Sequence, residues 1–147
     1  MSINLELEQM YLDDKTDRAA IEKNELTEEE LDKRDLDRQQ RLKELLENNE
    51  IDLDEIWNLH YSALILHHSY KVEDVEKAHD FAKKAITQGS NVTKWLYATT
   101  LDRLLVMQGK KQKFGTQFQI VNGEKVFFPI DGSVSVAEKA EFGVLSS

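Results

Sequence analysis

From Ile56 to Leu66 the chain reads Ile-Trp-Asn-Leu-His-Tyr-Ser-Ala-Leu-Ile-Leu, which wound as a helix is apolar on most sides. Such a helix has no face to offer water and belongs at the centre of a bundle. Whatever else the chain does, it has to supply other helices that wrap this one. Asp52 with Glu55 reads as its start, so the spacing predicts a helix from about residue 52 to Ser69.

The flanking sequence supplies the wrapping. Ile3, Leu5, Leu7, Met10 and Tyr11, followed by Ala19, Ala20 and Ile21, predict a first helix over about residues 4–23. Thr27 with Glu30 forms a Thr-x-x-Glu capping box, and Leu31, Leu42, Leu45 and Leu46 carry a second helix from Glu28 to about Glu47. A fourth is expected from Val72 to Gln88, stopped at Gly89. A fifth, capped by Asn91, is expected over 92–108 with Trp95, Leu96, Ala98, Leu101, Leu105 and Val106 inward. Helices three to five resemble the antiparallel pairs of helical-repeat proteins, although no residue-level repeat of period 34 is present.

After Gly115 the period changes from helical to alternating. Gln117–Val121 and Glu124–Phe128 flank Asn122-Gly123, the dipeptide of two-residue type I′ hairpins, which places Phe118 opposite Phe127. Ser135 with Glu138 caps a short last helix that Gly143 ends. The expectation is a mainly α protein: a small bundle of about five helices, one C-terminal β-hairpin and a short last helix. At 147 residues it is read as a single domain, with acidic helices over 1–50, a helical core over 51–109 and a C-terminal segment over 110–147.

Charge narrows the partners. Residues 1–50 hold 16 acids and 8 bases, whereas residues 51–147 hold 12 and 11. An acidic face opposes binding of nucleic acid, whose phosphates call for Lys and Arg, and suits a basic protein or peptide. It is equally the solvated surface that keeps a helical protein in solution. With no cysteine, a disulfide framework and a thiol nucleophile are both excluded. The longest apolar run, Ala63–Leu66, is far too short for a membrane span, and Met1–Met10 does not read as a signal, so a cytoplasmic location is expected.

Two polar residues fall on apolar faces. A helical wheel sets His68 among Trp57, Tyr61 and Leu64, and Asp102 among Trp95, Ala98, Leu105 and Val106. A buried carboxylate requires a partner, and His68 and Arg103 are the nearest candidates. An acid–His pair is what a general base with an orienting carboxylate needs, and it is also what a structural polar network looks like. His60, His67, His68 and His79 are the four histidines, and none has the spacing of a metal motif. The lysine-rich run Gly109–Gln117 complements a helix C-terminus and does not match a phosphate-binding loop. No cofactor is implied.

The run Leu101-Asp102-Arg103-Leu104-Leu105-Val106 … Gly109 … Gln112-Lys113-Phe114-Gly115-Thr116-Gln117 resembles the signature of a mostly bacterial family catalogued as domain of unknown function 6624. That signature reads Asp-Arg-Val, then Gly-x-Pro-Gln-x-Tyr-Gly-Thr-Gln, and here Lys111 and Phe114 replace the proline and the tyrosine. Met10 … Asp14 … Arg18, Asp35 … Arg41-Leu42 with Arg38 in place of an asparagine, His68, and Ile130-Asp131 … Glu138 … Gly143-Val144-Leu145 resemble other family segments in order. The resemblance groups Asp14, Arg18, His68, Asp102, Arg103, Gln112, Thr116 and Gln117, a set that would suit a pocket for a peptide end or a carboxylate. The same set could equally be hydrogen bonds locking helices and hairpin together.

Three functions are compatible with these residues. The first is a protein- or peptide-binding accessory module, of the immunity type for example. The second is a small hydrolase or transferase in which His68 is the general base, Asp102 orients it, and Arg103 or Gln117 holds an anionic substrate. The third is a sensor of a small polar ligand.

Overall fold

The computed structural model describes residues 2–144. Its elements are α1 (Leu5–Glu22), α2 (Glu28–Glu47), α3 (Ile56–His67), α4 (Val72–Thr87), α5 (Lys94–Met107), β1 (Phe118–Val121), β2 (Glu124–Phe127) and α6 (Val136–Glu141). The architecture is mainly α, a helical bundle with one antiparallel hairpin and a short last helix, as the periodicities require.

The apolar segment is the hub. Nine of the twelve residues of α3 are buried, and the helix packs on α4, α1, α2 and α5. Leu59, Ala63, Ile65 and Leu66 join Leu7 of α1, Leu42 and Leu45 of α2, Ala78, Ala82 and Ala85 of α4 and Leu96 of α5 in one core. The amphipathic α4 lies between α3 and α5, which its stripe of alanines allows at close approach.

Two helix starts differ from expectation for the same reason. Asp52 spends its polar atoms on a turn: its Oδ1 accepts from the Asp54 N–H at 3.0 Å and its carbonyl from the Glu55 N–H. The helix therefore begins at Ile56, with Glu55 accepting from the Trp57 N–H. Likewise α5 starts at Lys94 rather than after Asn91. Thr93 stands at its N-cap, but the Thr93 hydroxyl is drawn away to Ser90 and His60. Trp95 is 47% exposed rather than inward, because the buried side of α5 is the one carrying Leu96, Ala98, Thr99, Thr100 and Asp102.

The hairpin has the expected turn and register. Asn122 and Gly123 take φ of 52° and 81°, and Phe118 pairs with Phe127 with ring centroids 5.6 Å apart. Every strand residue is exposed, and the hairpin is held by its base. There Gln112 and Ile130 form a parallel bridge, with the Gln112 N–H donating to the Pro129 carbonyl and the Asp131 N–H to the Gln112 carbonyl. Phe114 and Val144 build a second small core on Ala98 of α5, with Phe142 and Val134 packed at its edge. No helix among the described residues is long and apolar enough to cross a membrane.

Candidate functional site

The polar residues singled out in the sequence separate into two groups. One group is spent on internal hydrogen bonds. Asp102 is fully buried, and both of its carboxylate oxygens are saturated. Oδ1 accepts from the Lys113 and Phe114 N–H groups at 2.8 and 2.9 Å, and Oδ2 from the Thr116 N–H and hydroxyl at 3.0 and 2.8 Å. Gln112, also fully buried, donates to the carbonyls of Gln117 and Phe128 and accepts from the Gln117 N–H. The Gln117 side chain donates to the hydroxyls of Thr99 and Thr116. Asp102, Gln112, Thr116 and Gln117 thus clamp the Gly115 loop to α5 and to the foot of the hairpin.

The expected contact between His68 and Asp102 does not form. α3 ends at His67, so His68 is its C-cap and no longer follows the helical wheel that aligned it with Trp57 and Tyr61. Released from that face, its ring turns to α1, and His68 Nδ1 lies 3.0 Å from Asp14 Oδ2. Arg103 does not reach Asp102 either, and its Nη2 donates to the Ser69 carbonyl at 2.7 Å.

The second group is open. Arg18 of α1, His68 and Arg103 of α5 meet Asp35 of α2 at a cleft beside the α3–α4 turn, with the buried Asp14 behind His68. One lobe of about 300 Å³ is lined by Arg18, Asp35, His67, His68, Tyr70 and Arg103, with Leu31 and Ile21 at its apolar wall. A second lobe of about 660 Å³ is lined by Leu36, Gln39, Lys43, Ser69 and Asp74. Asp32, Asp35, His68 and Tyr70 belong to both, which makes them one cleft. Tyr70, exposed and leaning out from the turn, donates its hydroxyl to Asp32 of α2 at 2.9 Å and so straps the cleft.

Behind the cleft, α1 and α2 are joined by a charge lattice. Arg18 grips Asp35 with both terminal nitrogens at 2.8 and 2.7 Å and pairs with Asp14 at 3.1 Å. Arg38 bridges Asp17 and Asp35 at 2.8 and 2.9 Å, and Arg34 completes Asp17 at 2.7 Å. Burial alone would raise the Asp35 pKa, but the hydrogen bonds and charge of Arg18, then Arg38, hold it below the usual carboxylate range. The acidic N-terminal third is therefore less of a free surface than its composition suggests, since Asp14, Asp17 and Asp35 point inward.

His68, with Nδ1 turned to a buried carboxylate, has its Nε2 without a hydrogen bond to any described residue. That is the geometry of an oriented imidazole base. Oxygens of Asp14 and Asp35 and a nitrogen of His68 also lie within 4.8 Å of one another, a spacing one metal ion could bridge. Both carboxylates are already engaged by guanidinium groups there, so an ion would compete with Arg18 and Arg38 for them.

A family model described as a family of unknown function, DUF6624, matches residues 25–146. The chain belongs to this family. No curated protein and no solved structure matches it significantly. In this DUF6624 chain the match begins after α1, so the likeness read at Met10, Asp14 and Arg18 lies outside the matched residues. The cleft therefore joins family residues Asp35, His68 and Arg103 to two side chains from α1. Asp32, His67 and Tyr70 were not picked out as site residues in the sequence. Only the adjacency of His67 to His68 marks one of them, and no periodicity reveals which helix end turns toward α1 and α2.

Proposed function

We propose that this DUF6624 domain binds a small polar ligand in the cleft between α2 and the α3–α4 turn. The observation that carries this reading is the separation just described. Asp102, Gln112, Thr116 and Gln117 spend their hydrogen bonds on the Gly115 loop and the hairpin foot, whereas Arg18, His67, His68, Tyr70 and Arg103 line open volume. Sites of this kind pair an apolar wall with a few convergent polar groups, as Leu31, Leu36 and Ile21 do here. The test is a thermal-shift screen of small polar metabolites against the wild type and His68→Ala. A ligand that raises Tm by a few degrees in the wild type and not in the variant supports the reading. A screen in which the two proteins respond alike to every compound counts against it.

The His68–Asp14 pair favours a second reading, hydrolysis or group transfer with His68 as general base and Asp14 orienting it. Here the stabilising ligand is consumed on incubation with the wild type, and His68→Ala stops turnover while keeping its Tm within a few degrees. A ligand that binds and is recovered intact leaves the sensor reading in place.

A further inference from the structure

Of the five arginines, Arg18, Arg34, Arg38 and Arg41 each pair with a carboxylate among the described residues, and Arg103 pairs with none. It is also half-buried. Its Nη2 is held by the Ser69 carbonyl, its Cζ lies 6.0 Å from the Tyr70 ring centroid, and its Nε is buried without a partner. A guanidinium removed from water with no counter-charge is expensive, and natural structures pair it. The deficit is not made up by the charge lattice next to it. Asp14, Asp17 and Asp35 are balanced one for one by Arg18, Arg34 and Arg38, which leaves Arg103 without a buried counter-charge.

A second observation falls on the same wall. His67 is only 8% exposed, lines the lobe, and has its Nδ1 buried without a hydrogen bond. Burial first, then the charges of His68, Arg103 and Arg18, keep its ring neutral, which leaves Nδ1 able to carry a proton and donate it as a hydrogen bond. Two buried groups without partners thus belong to side chains that line one small cavity, and both can donate. The acids at the lip, Glu28 and Asp32, are solvent-exposed and screened, and Asp32 is occupied by the Tyr70 hydroxyl.

We infer that the inner lobe is an oxyanion site, in which Arg103 and His67 bind the carboxylate or phosphate of a small ligand beneath Tyr70. This deepens the cleft reading above and rests on it. A planar carboxylate or a phosphate supplies the acceptor oxygens that a guanidinium edge and a neutral imidazole N–H lack here. The rest of such a ligand would extend past His68 into the larger lobe.

The experiment follows the 15N-labelled 147-residue chain by NMR at constant ionic strength, titrated separately with acetate, inorganic phosphate, acetamide and ethylammonium. The first two are oxyanions; acetamide and ethylammonium match acetate in size without its charge. We expect acetate or phosphate to shift the Arg103 Nε–H and the Tyr70 amide saturably, with acetamide at least tenfold weaker. Arg103→Met should weaken the anion at least tenfold. Arg103→Lys, which keeps the charge but loses the planar edge, should retain part of the binding and guards against a variant that does not fold. Acetamide or ethylammonium binding as tightly as acetate would overturn the oxyanion assignment and leave the cleft reading standing. Silence from all four probes at the cleft amides would count against both. An anion effect spread over the lysines of 110–113 and unchanged in either variant would assign the response to surface charge and sink the proposal.

Discussion

Asp102 shows how one side chain can organise a loop. Three backbone N–H groups and one hydroxyl converge on a carboxylate that sees no water. A carboxylate can accept at both oxygens, whereas an amide must turn two donors toward groups that are themselves donors. Asp102→Asn is therefore expected to lower stability by roughly 2–4 kcal/mol, in the range seen when buried charge-assisted hydrogen bonds are broken. The measurement is urea unfolding followed by circular dichroism. A loss within error of zero would mean that the loop does not depend on Asp102. That a polar residue on an apolar helical face needs a partner was legible in the sequence. Which partner it finds was not, because the loop that meets Asp102 lies 11 to 14 residues further along the chain.

Among the elements, the α1–α2 pair departs furthest from a hydrophobic bundle. Its contact carries Leu7 and Leu42 but also the Asp14, Asp17, Asp35, Arg18, Arg34 and Arg38 lattice. Removing one member takes charge-assisted hydrogen bonds from buried carboxylates that have no water to turn to instead. Arg38→Met takes one of two arginines from each of Asp17 and Asp35, leaving Arg34 and Arg18 in place, and should cost roughly 1.5–3 kcal/mol, the range for hydrogen bonds to charged groups. Amide exchange should then accelerate first in α1, whose hold on α2 runs through these pairs, and only later in α3. Equal acceleration in both helices would show that α1 is not held this way. The i,i+3 and i,i+4 spacings of Asp35–Arg38 and Asp14–Arg18 are visible in the sequence, but spacing does not tell an exposed pair from a buried one. Only the packing of one helix on the other turns them inward.

At the scale of the whole molecule, the buried histidines set the response to acid. Burial pushes His60 down to about 4, and lowers His67 and His79 as well. Well above pH 6.5 these rings are neutral in both the folded and the unfolded chain, so they add no pH dependence there. Below 6.5 the unfolded chain binds protons that the folded one refuses, so stability falls as pH drops, and for His60 the loss is complete only near 4. Asp35 extends the loss further. Its lowered pKa supplies stability that is present above 3.8 and disappears as pH falls through the folded value. The urea midpoint should therefore be lower at pH 5.0 than at pH 7.5 with the slope unchanged, and His60→Gln should flatten that difference. A midpoint that does not move between these pH values would contradict the assignment of neutral buried rings.

Most elements were legible locally: an apolar segment with no face for water, capping residues at Thr27 and Ser135, and Asn122-Gly123 with its forced register are decided within a few residues by backbone geometry and by burial. The tertiary structure decided the site. Whether His68 follows α3 or caps it turns on a single residue, and that choice swapped Asp102 for Asp14 as its partner. The side chains of the cleft come from α1, α2, the α3–α4 turn and α5, and no periodic pattern records the distance between them. Polar groups satisfied by contacts remote in the chain look the same in sequence as polar groups left open, and packing alone separates the sealed network at Asp102 from the unpaired charge at Arg103.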